Sequence, residues 1–404
     1  MSLIDQLASQ EIWNAFLEEK IEANHLDKRQ LADLSSFIQH QEYLPVVHKI
    51  VNREHFRPPL KQAISKQSSS KKRIVYSFAR EENYVLKLLT YLLIRQYDHL
   101  FAKNLYSFRR NHGVKKAVDY LRGDHYLSTK FVYKVDIRNY FNSVDVSKLL
   151  PMLKQLMDDE PATYAFIEQL LTDPRVHTAD GTIIEEEKGI MAGVPLSSFL
   201  ANVYLYQLDW HFFNKGNRYA RYSDDIIVFS RDARERESDK AYIQAYLARM
   251  SLSVNPDKEY TADPHEPWDF LGVSYQNGVF DISPISLMKL KKKMWRKSRA
   301  LLRWKNRKHL DNTYAAKAFV KSFNIKLYDN PKNTELTWTR WYFPIINTTE
   351  SLVQLDHYMQ DCIRYIATER RTKKRFDYSY EMMKGLGYRS LVNEYYKIKE
   401  NERK

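Results

Sequence analysis

Apolar residues recur at helical spacing through the first fifty positions, as Trp13, Leu17 and Ile21 and then as Leu31, Leu34 and Ile38. Such stripes predict two or three amphipathic helices. The stretch SKQSSSKKR (65–73) is polar and serine-rich and predicts a loop. RIVYSF (73–78) reads as a short strand, and residues 81–101 as a mostly buried helix carrying Leu86, Leu89, Leu93 and Ile94. From residue 131 the pattern changes. FVYKVDI is rich in β-branched and aromatic residues and closes on an acid, which predicts a strand. Helices are expected at about 146–157 and 161–172, a short strand in TIIEEE, and a helix opened by Pro195 at its first position. Two strands then flank a tight acidic turn in YARYSDDIIVFS, followed by a helix near 235–250 and two strand-like pieces ending in WDFLGVSY. This alternation predicts an α+β fold whose sheet carries helices on one face. After residue 284 the chain reads as helical to its end, and no internal repeat is visible.

Composition narrows the picture. At 404 residues the chain has room for two or three packed units, at ~100–200 residues each. An apolar content of 44% and only 10 glycines and 13 prolines exclude a disordered or fibrous chain. A formal net charge of +14 points to a polyanionic partner, nucleic acid or an anionic surface. The single cysteine, Cys362, excludes an internal disulfide and a multi-cysteine zinc site, which suits a reducing compartment. The first twenty residues lack the basic start and apolar run of a signal peptide, and no apolar run approaches ~18 residues. A soluble, cytoplasmic protein without a membrane partner is expected.

Three segments carry candidate chemistry. KVDIRNYFNSV (134–144) places Asp136 at the end of an apolar strand, and RYSDDIIVFS (221–230) places Asp224 and Asp225 in the turn of a hairpin. Between them lies GIMAGVPLSSFLANVYL (189–205), a small-residue loop feeding a helix. Carboxylates crowded at the edge of an apolar sheet are costly unless a cation compensates them. Hard divalent cations such as magnesium take oxygen ligands and complete their shells with water and phosphate. Two such ions can activate a primer hydroxyl and stabilise a leaving pyrophosphate.

These segments resemble the palm motifs of reverse transcriptases. The resemblance implies a right-hand polymerase: fingers and palm with a mixed or antiparallel sheet, then an all-helical, thumb-like C-terminal region. It divides the chain into an N-terminal helical extension (1–64), fingers and palm (65–283) and the thumb-like part (284–404). Asp136 matches the family's first metal aspartate and Tyr222-Ser223-Asp224-Asp225 its aromatic-x-Asp-Asp box, with Ile137 as a further metal ligand. Two Mg²⁺ ions are implied as cofactor, with Mn²⁺ as an alternative. GVPLSSFLANVYL matches the loop and helix that hold template and incoming nucleotide, with Pro195 on the nucleotide. In LSVNPDKEY (252–260), Lys258 matches the candidate acid that protonates pyrophosphate. WDFLGVSY (268–275) resembles the primer-grip hairpin and places Leu271 and Gly272 on nucleic acid. NLYSFRRNHGVKKAV (104–118) resembles the finger motif on the template strand, with Arg109 and Arg110 as its contacts. Lys71, Lys72 and Arg73 stand where the family sets cations on the triphosphate. Phe141, five residues after Asp136, stands where reverse transcriptases carry an aromatic ring and related RNA polymerases an acid. A ring there collides with a 2′-hydroxyl, so deoxynucleotides are expected. Residues 289–308 contain no acid. Leu290, Met294, Leu301 and Trp304 predict one packed face of a helix, leaving Lys291, Lys292 and Arg296 to track a phosphate backbone.

The chain departs from better-known relatives. Its loop reads Ala-Gly-Val-Pro-Leu-Ser-Ser rather than the Pro-Gln-Gly form of group II intron and retroviral enzymes. The Asn-Ala-x-x-His and Val-Thr-Gly signatures of retron enzymes are absent, and no RNase H, integrase or Cys/His endonuclease pattern follows. The profile resembles the bacterial defence-associated and abortive-infection reverse transcriptases. That implies an RNA-directed DNA polymerase acting against phage, with a partner non-coding RNA as template, dNTPs as substrate and DNA as product. Two other readings stand beside it. One is untemplated or protein-primed synthesis, for which 29 tyrosines offer hydroxyls without singling one out. The other is a catalytically silent, RNA-binding scaffold, against which the intact acidic trio speaks.

Overall fold

The computed structural model of the chain describes residues 1–23, 26–65, 72–328 and 337–403. By packing, the chain divides into two compact units, Met1–Pro264 and His265–Lys404.

The described part of the first fifty residues forms four helices, one or two more than the pattern predicts: α1 (Leu3–Leu7), α2 (Gln10–Ala23), α3 (Lys28–Gln39) and α4 (Leu44–Val51). The extra breaks come from local caps. Ser2 caps α1 reciprocally with Asp5, and Asp27 caps α3 reciprocally with Gln30, satisfying amides that a continuous helix would not free. The buried stripe of α2 runs through Trp13 and Phe16, whereas Ile21, expected in it, is exposed. Trp13 stacks on Tyr43 at 5.0 Å and meets Phe37 edge-on at 5.4 Å. These helices share one continuous apolar core with the rest of the first unit, from Leu3 to Leu252. The Leu3 amide donates 3.0 Å bonds to the Glu160 carboxylate, which fixes the chain start to the unit's middle.

A four-stranded finger sheet has the order β2 (Lys72–Ser77), β1 (Leu60–Ser65), β4 (Arg175–His177), β5 (Ile183–Glu185). Of the loop expected over 65–73, Ser65 ends β1, while Lys72 and Arg73 begin β2. Ladder pairing of Lys72 with Ser65 and of Arg73 with Ile64 extends the strands into the polar segment. Helices α5 (Arg80–Tyr97) and α6 (Val114–Arg122) follow.

The palm sheet has the order β6 (Arg218–Tyr222), β7 (Asp225–Ser230), β3 (Phe131–Asp136), β8 (Tyr260–Ala262), every pair antiparallel. Around it lie α7 (Tyr140–Ser143), α8 (Val146–Leu156), α9 (Pro161–Thr172), α10 (Ser197–Lys215) and α11 (Ala233–Arg249). Ile226, Ile227 and Val228 are consecutive and fully buried. Since successive side chains point to opposite faces, both faces of β7 are covered, where one was expected. That explains why the strand reads as an unbroken apolar run.

In the second unit a small antiparallel sheet, β9 (Trp268–Phe270), β10 (Val273–Gln276) and β11 (Val279–Ile282), precedes six α-helices among the described residues. These are α12 (Pro284–Lys308), α13 (Asn312–Leu327), α14 (Trp338–Tyr342), α15 (Glu350–Thr368), α16 (Tyr380–Gly385) and α17 (Leu391–Arg403). Met294, Phe319, Leu355, Met359 and Ile363 are fully buried among them. Among the described residues no helix is long and apolar enough to cross a membrane.

Candidate active site

Sheet register brings the acids together. In the β3–β7 ladder Asp136 lies directly opposite Asp225, and the Ile137 amide donates to the Asp224 carbonyl at 3.0 Å. The turn between β6 and β7 holds only Ser223 and Asp224, and Ser223 takes a left-handed φ of 61°. Two residues suffice for a tight hairpin when one tolerates positive φ. Asp136 is 3% exposed, and both of its oxygens are engaged. One accepts from Asn255 Nδ2 at 3.1 Å and the other from Lys258 Nζ at 2.5 Å, while the Asn255 amide donates to the Asp136 carbonyl at 2.8 Å.

The hairpin acids are less well served. Burial pushes the Asp225 carboxyl up to about 6, and the charges of Asp224 and Asp136 add to this against the pull of Lys134 and Lys258. Asp224 is raised by burial and then by Asp136. No side-chain hydrogen bond or ion pair reaches Asp225 among the described residues. Burial alone would lower Lys258, but its bond to Asp136 and the field of all three acids hold its ammonium above the ordinary range.

A cation would relieve this crowding, and the donors are the hard oxygens that magnesium takes. Among the described residues, however, no three His, Cys, Asp or Glu side chains stand so as to hold a metal ion. The expected convergence of three carboxylates is thus incomplete, and the physical reason is visible. Asp136 is turned onto Lys258 and Asn255, leaving Asp224 and Asp225 only partly compensated by Ser223, Lys134 and Lys258. Magnesium is commonly held by one or two carboxylates together with waters and substrate phosphates, so this donor set fits such an ion in a substrate-completed site.

Residues 64–275, more than half of the chain, match the reverse transcriptase (RNA-dependent DNA polymerase) family. The chain belongs to that family. No curated protein matches it. Among solved structures, apo telomerase from Candida tropicalis is similar at 12% identity over 82% of this chain and 59% of that one, with a TM-score of 0.50. A form of the same apo telomerase truncated from its C-terminal domain matches at 11% identity over 56% and 55%, with a TM-score of 0.46. Telomerase from Candida albicans in complex with the TWJ fragment of telomeric RNA matches at 11% identity over 88% and 71%, with a TM-score of 0.47. The chain spans 55–59% of the length of the two Candida tropicalis structures. At such identity the likeness concerns fold alone. The fold is that of a reverse transcriptase, α+β, with its sheets in the palm and fingers and a helical C-terminal region.

In this reverse transcriptase domain the small-residue loop is pinned on two sides. The Ile190 amide donates to the Phe141 carbonyl at 2.9 Å, and Asn142 bridges the Ala192 amide and the Ile74 carbonyl. Gly189 has φ 55°, and a Cβ there would sit 2.5 Å from the Phe141 carbonyl oxygen, so only glycine fits. Phe141 is half-buried and meets Phe108 edge-on at 6.2 Å. Pro195 does not open α10. It lies two residues before Ser197, in a turn closed by the Ser197 amide on Val194 and the Ser198 amide on Pro195. Lys72 and Arg73 are exposed on β2, and Lys71 lies outside the described residues.

Arg109 is a correction. Expected on a template strand, its side chain is 5% exposed, paired with Asp98 at 2.7 Å and bonded to the carbonyls of Ala102, Leu105 and Asp98. It closes the loop between α5 and α6. Arg110 is exposed, 3.8 Å from Glu19. In the second unit, Leu271 (φ 51°) and Gly272 (φ 87°) form the β9–β10 turn. On α12, Lys292 and Arg296 are exposed, whereas Lys291 is half-buried and bonded to Gln354 at 3.2 Å. Met294 and Leu301 are buried as expected, and Leu290 and Trp304 half-buried.

Sequence reasoning missed the support behind the hairpin. Arg221, fully buried, donates to both oxygens of Asp209 at 2.8 and 2.6 Å, to the Asn202 carbonyl and to the Ser223 carbonyl at 3.2 Å. Tyr219 adds a 3.0 Å bond to Asp209. This network fixes the strained residue immediately before Asp224.

Proposed function

We propose that the chain is an RNA-directed DNA polymerase that adds deoxynucleotides by a two-metal mechanism, in cytoplasmic antiphage defence with a partner non-coding RNA. Membership of the reverse transcriptase family supports the reaction class. The observation that carries it is the half-buried Asp224–Asp225 pair, raised by burial and like charge and set across the sheet from Asp136. Asp136, Asp224 and Asp225, with Ile137 beside them, would hold divalent cations, Mg²⁺ or Mn²⁺. Bound there, the ions would activate the primer hydroxyl and neutralise the departing pyrophosphate. Releasing Asp136 from Lys258 frees its carboxylate and the lysine together. Lys258, half-exposed and fully protonated, then holds a proton at Nζ for the leaving pyrophosphate. Phe141 excludes the ribose hydroxyl, while Lys71, Lys72, Arg73 and Pro195 attend the nucleotide. Arg110, Leu271, Gly272, Lys292 and Arg296 contact nucleic acid. In this scheme residues 1–64 extend the fingers and palm of 65–283, and 284–404 act as thumb.

Purified protein given magnesium and labelled dNTPs, with and without RNase pre-treatment, tests this. Incorporation that vanishes after RNase is expected. Incorporation that persists would show untemplated or protein-primed synthesis, and none at all would leave an RNA-binding scaffold. Asp224→Ala is expected to abolish incorporation with RNA binding retained, and Phe141→Ala to admit ribonucleotides. Equal loss of activity and binding in the first variant would make Asp224 structural.

A further inference from the structure

A cleft of about 760 Å³ in the first unit lies between α2, α3 and α5 and reaches Pro195, Ser198 and Tyr222 beside the acidic hairpin. One wall therefore belongs to helices that precede the family match at residue 64. Two lysines face it, Lys20 from α2 and Lys87 from α5. Neither has a carboxylate or hydrogen-bond partner among the described residues. Each ammonium lies over an aromatic ring instead, Lys20 4.8 Å from the centre of Phe16 and Lys87 4.9 Å from that of Tyr84. Burial lowers the titration of both, and the charge of Lys20 lowers Lys87 further, against the smaller pull of Glu19 on Lys20 and of Asp33 on Lys87. Glu19 is the acid among the lining residues, and it already faces Arg95 at 3.6 Å and Arg110 at 3.8 Å. Asp33, nearby, is taken by Arg80 and Tyr84.

Two half-buried like charges whose nearest acids, Glu19 and Asp33, are shared with arginines are unfavourable, and a bound anion relieves both at once. Rings interleaved with cations along a groove are the chemistry of an unpaired polynucleotide, whose bases stack while its phosphates are neutralised. We infer that this cleft holds a single nucleic-acid strand, with Lys20 and Lys87 on its phosphates, so that the N-terminal helices form one wall of the strand's track. The inference rests on the polymerase reading for the direction of that track, toward Tyr222, but not for binding itself.

Fluorescence anisotropy of the full chain with a labelled single-stranded oligonucleotide, in RNA and DNA forms, tests it. The double variant Lys20→Gln/Lys87→Gln is expected to weaken strand binding about tenfold and to lower the salt slope by about 1.4, at ~0.7 per phosphate released. Affinity for a blunt duplex should stay as in the parent. Unchanged strand affinity and slope would overturn the inference, as would an equal loss for duplex, which would mean general polyanion attraction. A thiouridine-bearing strand photo-crosslinked to the unaltered protein needs no variant to fold. Crosslinks on α2 and α5 support the track, and crosslinks confined to α12 overturn it. If the parent incorporates no nucleotide yet the double variant loses the strand, the polymerase reading falls and the cleft stands. If incorporation proceeds and the double variant binds normally, the cleft falls and the polymerase stands.

Discussion

The two sides of the β6–β7 hairpin treat buried acids in opposite ways. Behind it, Asp209 is wholly buried and receives a two-pronged guanidinium and a phenol, so its charge is matched within the protein. In front, Asp224 and Asp225 are half-buried beside one another and beside Asp136, and desolvation and like charge raise both. Satisfied acids make scaffold, whereas starved ones make a receptor for charge from outside. The same turn joins the two, since Arg221 holds both Asp209 and the carbonyl of Ser223. The rigidity of the first network positions the strain of the second.

Removing one partner from the rear network should have the largest effect on stability. Asp209→Ala leaves the Arg221 guanidinium buried and unmatched, and a loss of about 3–5 kcal/mol in denaturant unfolding is expected. A loss below 1 kcal/mol would mean that water or another acceptor takes over.

In front, the sign reverses. Asp225 titrates near 6 in the folded chain against 3.8 ordinarily, so its charge costs stability fully above about pH 6 and not at all below about 4. Asp225→Asn should therefore stabilise the metal-free protein at pH 7 by on the order of 2–3 kcal/mol, the gain shrinking as pH falls through that window. Incorporation should be lost in the same variant. A destabilised variant would show that Asp225 is matched after all. Magnesium at ten times its dissociation constant should stabilise the parent by about 1.4 kcal/mol, with no matching gain for Asp225→Asn.

Lys258 marks the boundary between the two regimes, as an exposed cation on a buried acid. Lys258→Ala should cost about 1–3 kcal/mol of stability, because Asp136 stays buried with Asn255 as its remaining side-chain partner. Its effect on nucleotide addition should be far larger, about 10²–10⁴-fold in rate. Unaltered rates would reduce the lysine to a placeholder for the metal.

The front of the hairpin was legible in the sequence because local pattern and chemistry coincide there. An apolar strand closing on Asp136, and a two-residue turn before Ile226, each declare an acid at a sheet edge. The rear was not legible. Asp209 sits mid-helix and Arg221 in a strand, and no periodicity links residues paired only by the fold. Arg109 and Arg110 are expected alike on the template strand, yet the carbonyls around the α5–α6 loop engage the first. Lys20 and Lys87 belong on solvent faces by helical spacing, and only the packing of α2 against α5 turns them toward a cleft. The turn at Pro195 shows the same limit, since proline suits both the first turn of a helix and the bend before it.

The bond from the Leu3 amide to Glu160 spans 157 positions. In a chain being synthesised that bond must wait until residue 160 has emerged, whereas α1 and α4 can pack on α5 as soon as residues 80–97 are made. The N-terminal helices can thus settle in two steps, first on α5 and then, through Leu3, on the segment that opens α9.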